Sequence, residues 1–473
     1  MKDTIVLYPS TGISHLIPMV ELGQNLLAHY PSFSITILIS TLPSDTASTA
    51  TYIASIAATT PSITFYHLPI VSYSNPSSYP ALRFEFMALN NNNLRQTLES
   101  MSQTSSIKAF IIDFFCNYSF EISVNLNIPT YYFRPSGANS LAVFLYLPTI
   151  DRNITKSLKD DLNMQLHVPG LPSIVASDMP LPFLDRTTKA YRYFIDTAEQ
   201  MAKSSGIIVN TFELLESRAL KAISEGLCIP HGPTPPLFCI GPSILSSNRA
   251  GGGGSSDEHE CLSWLNLQPS QSVVFLSFGS MGQFSVEQLK EMATGLERSD
   301  LRFLWVVRNP PSDEKEKHIS DAPQPRLDSF FPEGFLERTK NRGFVVKSWV
   351  PQVAVLSHGS VGGFVTQCGW NSVMESVCAG VPMVAWPLHA EQRITRLFLV
   401  EELKIALAVN QLENGFVSAT ELENRVTELM DPDKGKPLRD RVTAIRDGAK
   451  AAIGEGGSSR IALAKLVESF KLA

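Results

Sequence analysis

The sequence predicts an α/β protein built from two doubly wound, Rossmann-like domains. Three observations carry this. Short apolar runs alternate with amphipathic stretches in both halves of the chain. A Gly/Ser-rich interruption divides the halves at residues 243–258. The length, 473 residues, suits two domains at roughly 100–200 residues each. Strands that alternate with helices pair in parallel and take helices on both faces of the sheet.

The first half opens on Thr4–Tyr8, an apolar strand, followed by the loop Pro9–Ser14. A helix then places Leu16, Met19, Val20, Gly23, Leu26 and Leu27 on one face at helical spacing. Pro18 is expected in its first turn, where a missing N–H costs little. Ser34–Ile39, Ala109–Ile112, Thr130–Phe133, Ile207–Val209 and Phe238–Ile240 read as further strands. The pattern then breaks at Ser243–Asp257, where four consecutive Gly are followed by two Ser. Ordering such a segment inside a core is entropically costly, so it reads as a linker.

Beyond it the alternation restarts with strands at Ser272–Ser277, Phe303–Val307, Gly343–Lys347, Gly363–Thr366 and Met383–Ala385. Pro310–Phe330 is polar and Pro-rich and reads as a surface excursion. An amphipathic helix, Arg460–Leu472, closes the chain. The expected division is 1–242, the linker 243–258, 259–455, and 456–473 packing back on the first domain. Ligands of such sheets bind beyond the carboxyl ends of the strands, so a cleft between the domains is the expected site.

Charge and aromatic content are uneven. Residues 1–240 carry 14 Lys/Arg and 17 Asp/Glu, whereas residues 241–473 carry 25 and 28. All five Trp (264, 305, 349, 370 and 386) fall in the second half. The net charge of −6 argues against a nucleic-acid partner, whose phosphates need a basic face. The six Cys form no CxxC pair and no regular spacing, which favours a reducing compartment. The chain runs directly into an apolar strand without a basic leader, and no apolar run approaches the 18 or so residues of a membrane span. A cytoplasmic protein without stable membrane insertion is the expectation.

The most informative stretch is Trp349–Gln392, 44 residues reading WVPQVAVLSHGSVGGFVTQCGWNSVMESVCAGVPMVAWPLHAEQ. Gly362–Thr366 reads as a strand, Cys368–Asn371 as a tight turn, and Ser372–Ala379 as a helix starting there. A helix N-terminus offers unpaired N–H groups and a positive dipole end, which suit a phosphate. Asn371 and Ser372 add donors at the same point. Glu375, one turn on, suits vicinal hydroxyls. Trp349 follows a strand end and can stack on a planar base. Glu391 and Gln392 offer acceptors and donors to a polyol. Together these are readers of a nucleotide sugar.

A second constellation is His15 with Asp113. His15 follows the first strand's loop, and Asp113 ends an apolar strand, so in a parallel sheet both face the same rim. The pair suits an imidazole base oriented by a carboxylate.

The 44-residue block resembles the signature of plant family-1 UDP-sugar glycosyltransferases, and the likeness spans the chain, including CLSWLNLQPSQSVVFLSFGSMG. VLYPSTGISHLIPMVELG and FIIDFFC look closest to enzymes acting on chalcones, flavones and isoflavones. The resemblance implies the GT-B architecture, inversion at the anomeric carbon, UDP-glucose as co-substrate, and neither metal nor other cofactor. It implies that Trp349 and Gln352 hold the uridine and Glu375 the ribose. Asn371, Ser372, Ser280 and Gln367 would hold the diphosphate, and Trp370, Glu391 and Gln392 the sugar. His15 and Asp113 match the family's catalytic pair. Two positions depart from it: Gln367 stands where the family has His, and Ser14 where it has Gly. A Gln amide can donate to a phosphate but cannot become cationic, at a cost of about 1–2 kcal/mol.

Other candidates read as structure. Asp431 and Asp433 fall in a charged loop after a helix and read as a solvated turn rather than a metal site. Asp257–Glu260 reads as a solvated acidic patch rather than a ligand set. His358 and His389 read as core or supporting groups, and Ser136 is a further candidate to reach the sugar. TGISH lacks GxGxxG, so a nicotinamide dehydrogenase is unsupported. The expectation is transfer of glucose to an apolar phenolic acceptor by a monomer. Phe84, Phe86, Phe114, Phe183 and Phe194 are possible lining residues. C-glycosyl transfer and a catalytically silent UDP-sugar-binding protein are the alternatives.

Overall fold

The computed structural model of the chain describes residues 2–42, 47–73, 79–244, 256–311, 327–347 and 349–471. The chain divides into two compact units, Met1–Ile244 with Ala449–Ala473, and Leu245–Gly448. Most of the linker 243–258 and of the excursion Pro310–Phe330 lies outside the described residues, as do the side chains of Asp257–His259.

Among the described residues, the first unit holds nine strands. They are β1 (Lys2–Tyr8), β2 (Ser34–Ile39), β3 (Ile63–His67), β4 (Ser105–Asp113), β5 (Thr130–Arg134), β6 (Gln165–Leu166), β7 (Ile174–Val175), β8 (Gly206–Val209) and β9 (Leu237–Cys239). Seven form one sheet in the order β3-β2-β1-β4-β5-β8-β9, and every neighbouring pair is parallel. β6 and β7 form a separate antiparallel pair. The order reverses at β1, with β2 on one side and β4 on the other. A doubly wound sheet opens its ligand crevice at that switch point.

One buried cluster joins Ile5, Leu7, Ile35, Ile37 and Ile111 of the sheet to Leu16, Met19, Val20, Leu22 and Leu26 of the following helix. That helix spans Ile13–His29 and starts earlier than its apolar stripe suggested. The N–H groups of His15 and Leu16 both donate to Gly12 O, at 3.1 and 3.3 Å, and these bonds draw the loop into the helix. Pro18 therefore sits in the second turn, not the first. The closing helix, Ser458–Lys471, buries Leu463, Leu466, Val467 and Phe470 in the same cluster. Its Ser469 Oγ lies 2.8 Å from the Tyr131 hydroxyl.

The second unit holds β10 (Val273–Ser277), β11 (Arg302–Val307), β12 (Gly343–Lys347), β13 (Val361–Thr366), β14 (Met383–Ala385) and β15 (Ala406–Ala408). Their order is β12-β11-β10-β13-β14-β15, again parallel throughout. The switch point lies between β10 and β13. Val274, Leu276, Trp305, Val365 and Trp386 anchor its core. Among the described residues no helix is long and apolar enough to cross a membrane.

β3 and β15 carry no clear signal in the sequence. Both are edge strands; β3 buries one side chain of five, and β15 is Ala-Leu-Ala. Alternation is weak where a strand has one neighbour and little of it is buried.

Candidate functional site

Each unit gathers candidate residues at its own switch point. In the first, β1 runs into the loop that delivers His15, and Asp113 is the last residue of the adjoining β4. His15 Nδ1 lies 2.8 Å from Asp113 Oδ2. The other carboxylate oxygen accepts the Phe115 N–H at 2.9 Å, so the backbone of the next turn fixes the acid. The Asp113 side chain is 2% exposed and that of His15 16%. A carboxylate can only accept, so Nδ1 carries the proton and Nε2 keeps its lone pair. This imidazole can take a proton at Nε2 while Asp113 stabilises the resulting cation.

Aromatic rings pack around the imidazole, Phe115 edge-on at 5.5 Å and Phe114 at 6.3 Å between centroids. Of the five lining candidates, Phe84, Phe86, Phe183 and Phe194 are buried, whereas Phe114 is partly exposed. Ser136 is buried and accepts from Ser140 Oγ at 3.2 Å. Beside it, buried Glu216 closes the N-terminus of the helix Ala138–Asn153. It accepts from the N–H of Ala138 at 2.7 Å, the N–H of Asn139 at 2.8 Å and Asn139 Nδ2 at 2.7 Å. Burial pushes its carboxyl upward.

In the second unit, the helix Trp370–Ala379 starts directly after the turn that follows β13. No side chain caps its N-terminus, and Gly380, left-handed at φ 75°, ends it. Ser280 and Asn371 are exposed, and Trp349 is 46% exposed. Gln352 Nε2 donates to Ser372 Oγ at 2.9 Å and to Glu375 Oε2 at 2.7 Å. Burial pushes the Glu375 carboxyl up to about 7, against the lowering effect of the Gln352 bond.

Gln367 is buried and lies against the loop that follows β10. A Cβ on Gly279 would collide with Gln367 Nε2, and Gly279 is left-handed at φ 67°. Arg308 Nε donates to Gly279 O at 2.9 Å. Gln367 thus sits at the switch point, with its amide packed on the backbone that leads to Ser280.

Two of the sugar candidates are buried. The Trp370 indole lies 6.4 Å from the Phe398 ring. Gln392 is also buried. Its Oε1 accepts the N–H groups of Leu388 and His389, both at 2.9 Å, and Nε2 lies 3.4 Å from His389 Nε2. The Gln392 carbonyl therefore staples its own loop, which leaves Nε2 as its group for a polyol. Glu391, immediately before it, is partly exposed.

The remaining polar candidates are structural. His358 bonds Ser360 Oγ and Asn266 Oδ1, at 2.8 and 3.0 Å. Asp431 Oδ1 accepts from the N–H groups of Asp433 and Lys434, closing a turn. Among the described residues no three His, Cys, Asp or Glu side chains converge as a metal site. Sequence reasoning missed Phe115, Gly279 and Glu216.

Residues 246–439 match the family described as UDP-glucoronosyl and UDP-glucosyl transferase. The anthocyanidin 5,3-O-glucosyltransferase of a Rosa hybrid cultivar is 53% identical over 99% of both chains. Isoflavone 7-O-glucosyltransferase 1 of Glycine max is 48% identical over the full length of both. Among solved structures, Phytolacca americana UGT2 complexed with UDP-2fluoro-glucose and pterostilbene superposes with a TM-score of 0.89. It is 36% identical, over 99% of this chain and all of that one.

Proposed function

Because the chain belongs to the UDP-glucoronosyl and UDP-glucosyl transferase family, we propose that it transfers glucose from UDP-glucose to a phenolic hydroxyl of a flavonoid-type acceptor, with inversion. The chain is a glycosyltransferase of GT-B architecture, and its relatives act on anthocyanidin and isoflavone acceptors. The observation that carries the mechanism is the 2.8 Å bond from His15 Nδ1 to Asp113, which leaves Nε2 as a base. The acceptor oxygen attacks C1 of glucose as its proton passes to His15 Nε2. The bond from C1 to the β-phosphate oxygen breaks, and UDP departs from the opposite face of the sugar. A phenol of pKa about 8–10 needs only modest assistance from a general base.

Trp349 stacks on the uracil, with the Gln352 carbonyl beside it, since both Nε2 donors are engaged. Glu375 accepts the ribose hydroxyls. The uncapped helix start at Trp370, with Asn371, Ser372, Ser280 and Gln367, holds the diphosphate, and Trp370 contributes through its backbone. Glu391 and Gln392 Nε2 meet the glucose hydroxyls. The reaction needs no metal or further cofactor, since a helix dipole and neutral donors balance the leaving diphosphate. We place the protein in the cytoplasm as a monomer; no disulfide joins any of its six cysteines, as suits a reducing compartment.

A screen of phenolic acceptors with UDP-glucose, UDP-galactose and UDP-xylose, read by product mass, tests the proposal. Hexose addition from UDP-glucose, as an acid-labile O-glucoside, is expected. Donor binding without transfer to any acceptor would overturn it.

A further inference from the structure

The side chains assigned to the diphosphate, those of Asn371, Ser372, Ser280 and Gln367, are all neutral, yet a cation stands at the same rim of the second sheet. Arg308 directly follows β11 and is partly exposed. β10 lies between β11 and β13, with Leu276 beside Trp305 and Ser277 beside Thr366. Carried past the strand ends, that register brings Gly279 abreast of Arg308 and Phe278 abreast of Gln367. The side chains agree with it. Arg308 Nε donates to Gly279 O at 2.9 Å, and a Cβ on Gly279 would collide with Gln367 Nε2. One left-handed residue, Gly279 at φ 67°, is therefore in contact with both the guanidinium and the amide, and Ser280 comes next in the chain.

The bond to Gly279 occupies one of the five N–H donors of the guanidinium. Burial pulls the pKa of Arg308 downward, and among the described residues no carboxylate offsets that effect. The group nonetheless stays charged at neutral pH. Holding a carbonyl needs only a neutral N–H, so the charge has no task at this rim unless an anion arrives. UDP-glucose brings one. When the bond from C1 to the β-phosphate oxygen breaks, the electron pair stays on that oxygen and UDP gains a further negative charge. The helix start at Trp370 offers about half an elementary charge, whereas a guanidinium offers a whole one.

We propose that Arg308 is a further donor-binding residue, whose guanidinium pairs with the UDP diphosphate and stabilises it as the leaving group. The inference rests on the reading of this rim as the UDP-sugar site. Arg308 joins the helix start and the neutral donors there and supplies the charge that Gln367 lacks, so that position 367 needs only a neutral amide.

Equilibrium affinities for UDP and for uridine, measured without acceptor, test this. Their ratio isolates the diphosphate, and uridine binding shows that a variant is folded. Arg308→Gln should lower the ratio by about tenfold to a hundredfold, the range of a charge-assisted bond. The loss should be larger at about 20 mM than at about 500 mM salt, because salt screens a pair of charges. A ratio unchanged in Arg308→Gln overturns the proposal. So does a loss that salt does not alter, which would leave Arg308 as a prop for Gly279. Should Arg308→Gln fail to bind uridine, phenylglyoxal labelling of the unaltered protein decides. UDP but not uridine should protect Arg308, and labelling of Arg308 that UDP does not reduce overturns the proposal. The donor reading fails separately: it falls if the unaltered protein binds UDP no better than uridine, and it stands if UDP is preferred whatever Arg308→Gln does.

Discussion

His15 Nδ1 and Asp113 Oδ2 lie 2.8 Å apart although 98 positions separate them in the chain. The parallel pairing of β1 with β4 makes the contact. It sets Tyr8 beside Ile112, so the loop after one strand and the last residue of the other share a rim. An imidazole with one nitrogen committed to a buried acid has its other nitrogen fixed in direction and tautomer.

His15→Ala should therefore lower kcat/KM by roughly 10²–10⁴-fold, the usual worth of a general base. Asp113→Asn should lower it less, because an Asn carbonyl still accepts the Phe115 N–H but the imidazolium loses its counter-charge. Steady-state kinetics with UDP-glucose and one phenol checks both. Unchanged rates in His15→Ala would remove the base from the mechanism.

Glu375 gives a pH prediction. Its folded carboxyl is pushed from 4.5 up to about 7 by burial, so without donor the folded state favours the protonated form. The stability this contributes is complete below about pH 4.5 and is lost as the pH rises through 7. The difference is of the order of 1–3 kcal/mol. Thermal melts between pH 5 and 8 should show that decline, and it should shrink in Glu375→Gln. If ribose hydroxyls donate to the carboxylate, UDP binding near pH 6.5 should release a proton. Calorimetry in two buffers of different ionisation enthalpy reads this directly.

Gly279 and Gln367 should be coupled. Gly279→Ala forces a Cβ into the Gln367 amide at a left-handed backbone position, at a cost of about 1 kcal/mol or more. It should weaken UDP-glucose binding by displacing Ser280 and Gln367 together. Gln367→His should strengthen donor affinity or the chemical step by about tenfold, through a cationic donor. Equal donor affinity and kcat in Gln367→His would show that the amide and the helix N-terminus suffice.

Glu216 holds three donors at one helix start, so Glu216→Ala should destabilise the fold by about 3 kcal/mol or more, leaving buried N–H groups without acceptors. Glu216→Gln has the same shape and one strong acceptor fewer, and should cost less. Denaturant melts of the two variants would separate capping from charge.

Much of this was legible in the sequence because it is local. Apolar runs four to six residues long, followed by helical stripes, marked β1, β2, β5 and β10 without tertiary information. The donor motif is a strand, a turn and a helix in continuous sequence, so Asn371, Ser372 and Glu375 could be placed by spacing alone. Edge strands β3 and β15 escaped, since little of either is buried. The burial of Trp370 and Gln392 also escaped, because composition does not tell a buried side chain from an exposed one.

By itself the sequence determined the two doubly wound domains, the resemblance that assigns the donor block, and the candidate base, all properties of residue type and short-range order. Only the tertiary structure decided that Gln352 ties Ser372 to Glu375 and that the Gln367 amide packs on Gly279. Those relationships cross tens to about a hundred residues of chain. They are set by strand order and by the packing of side chains from separate elements, which no local pattern encodes.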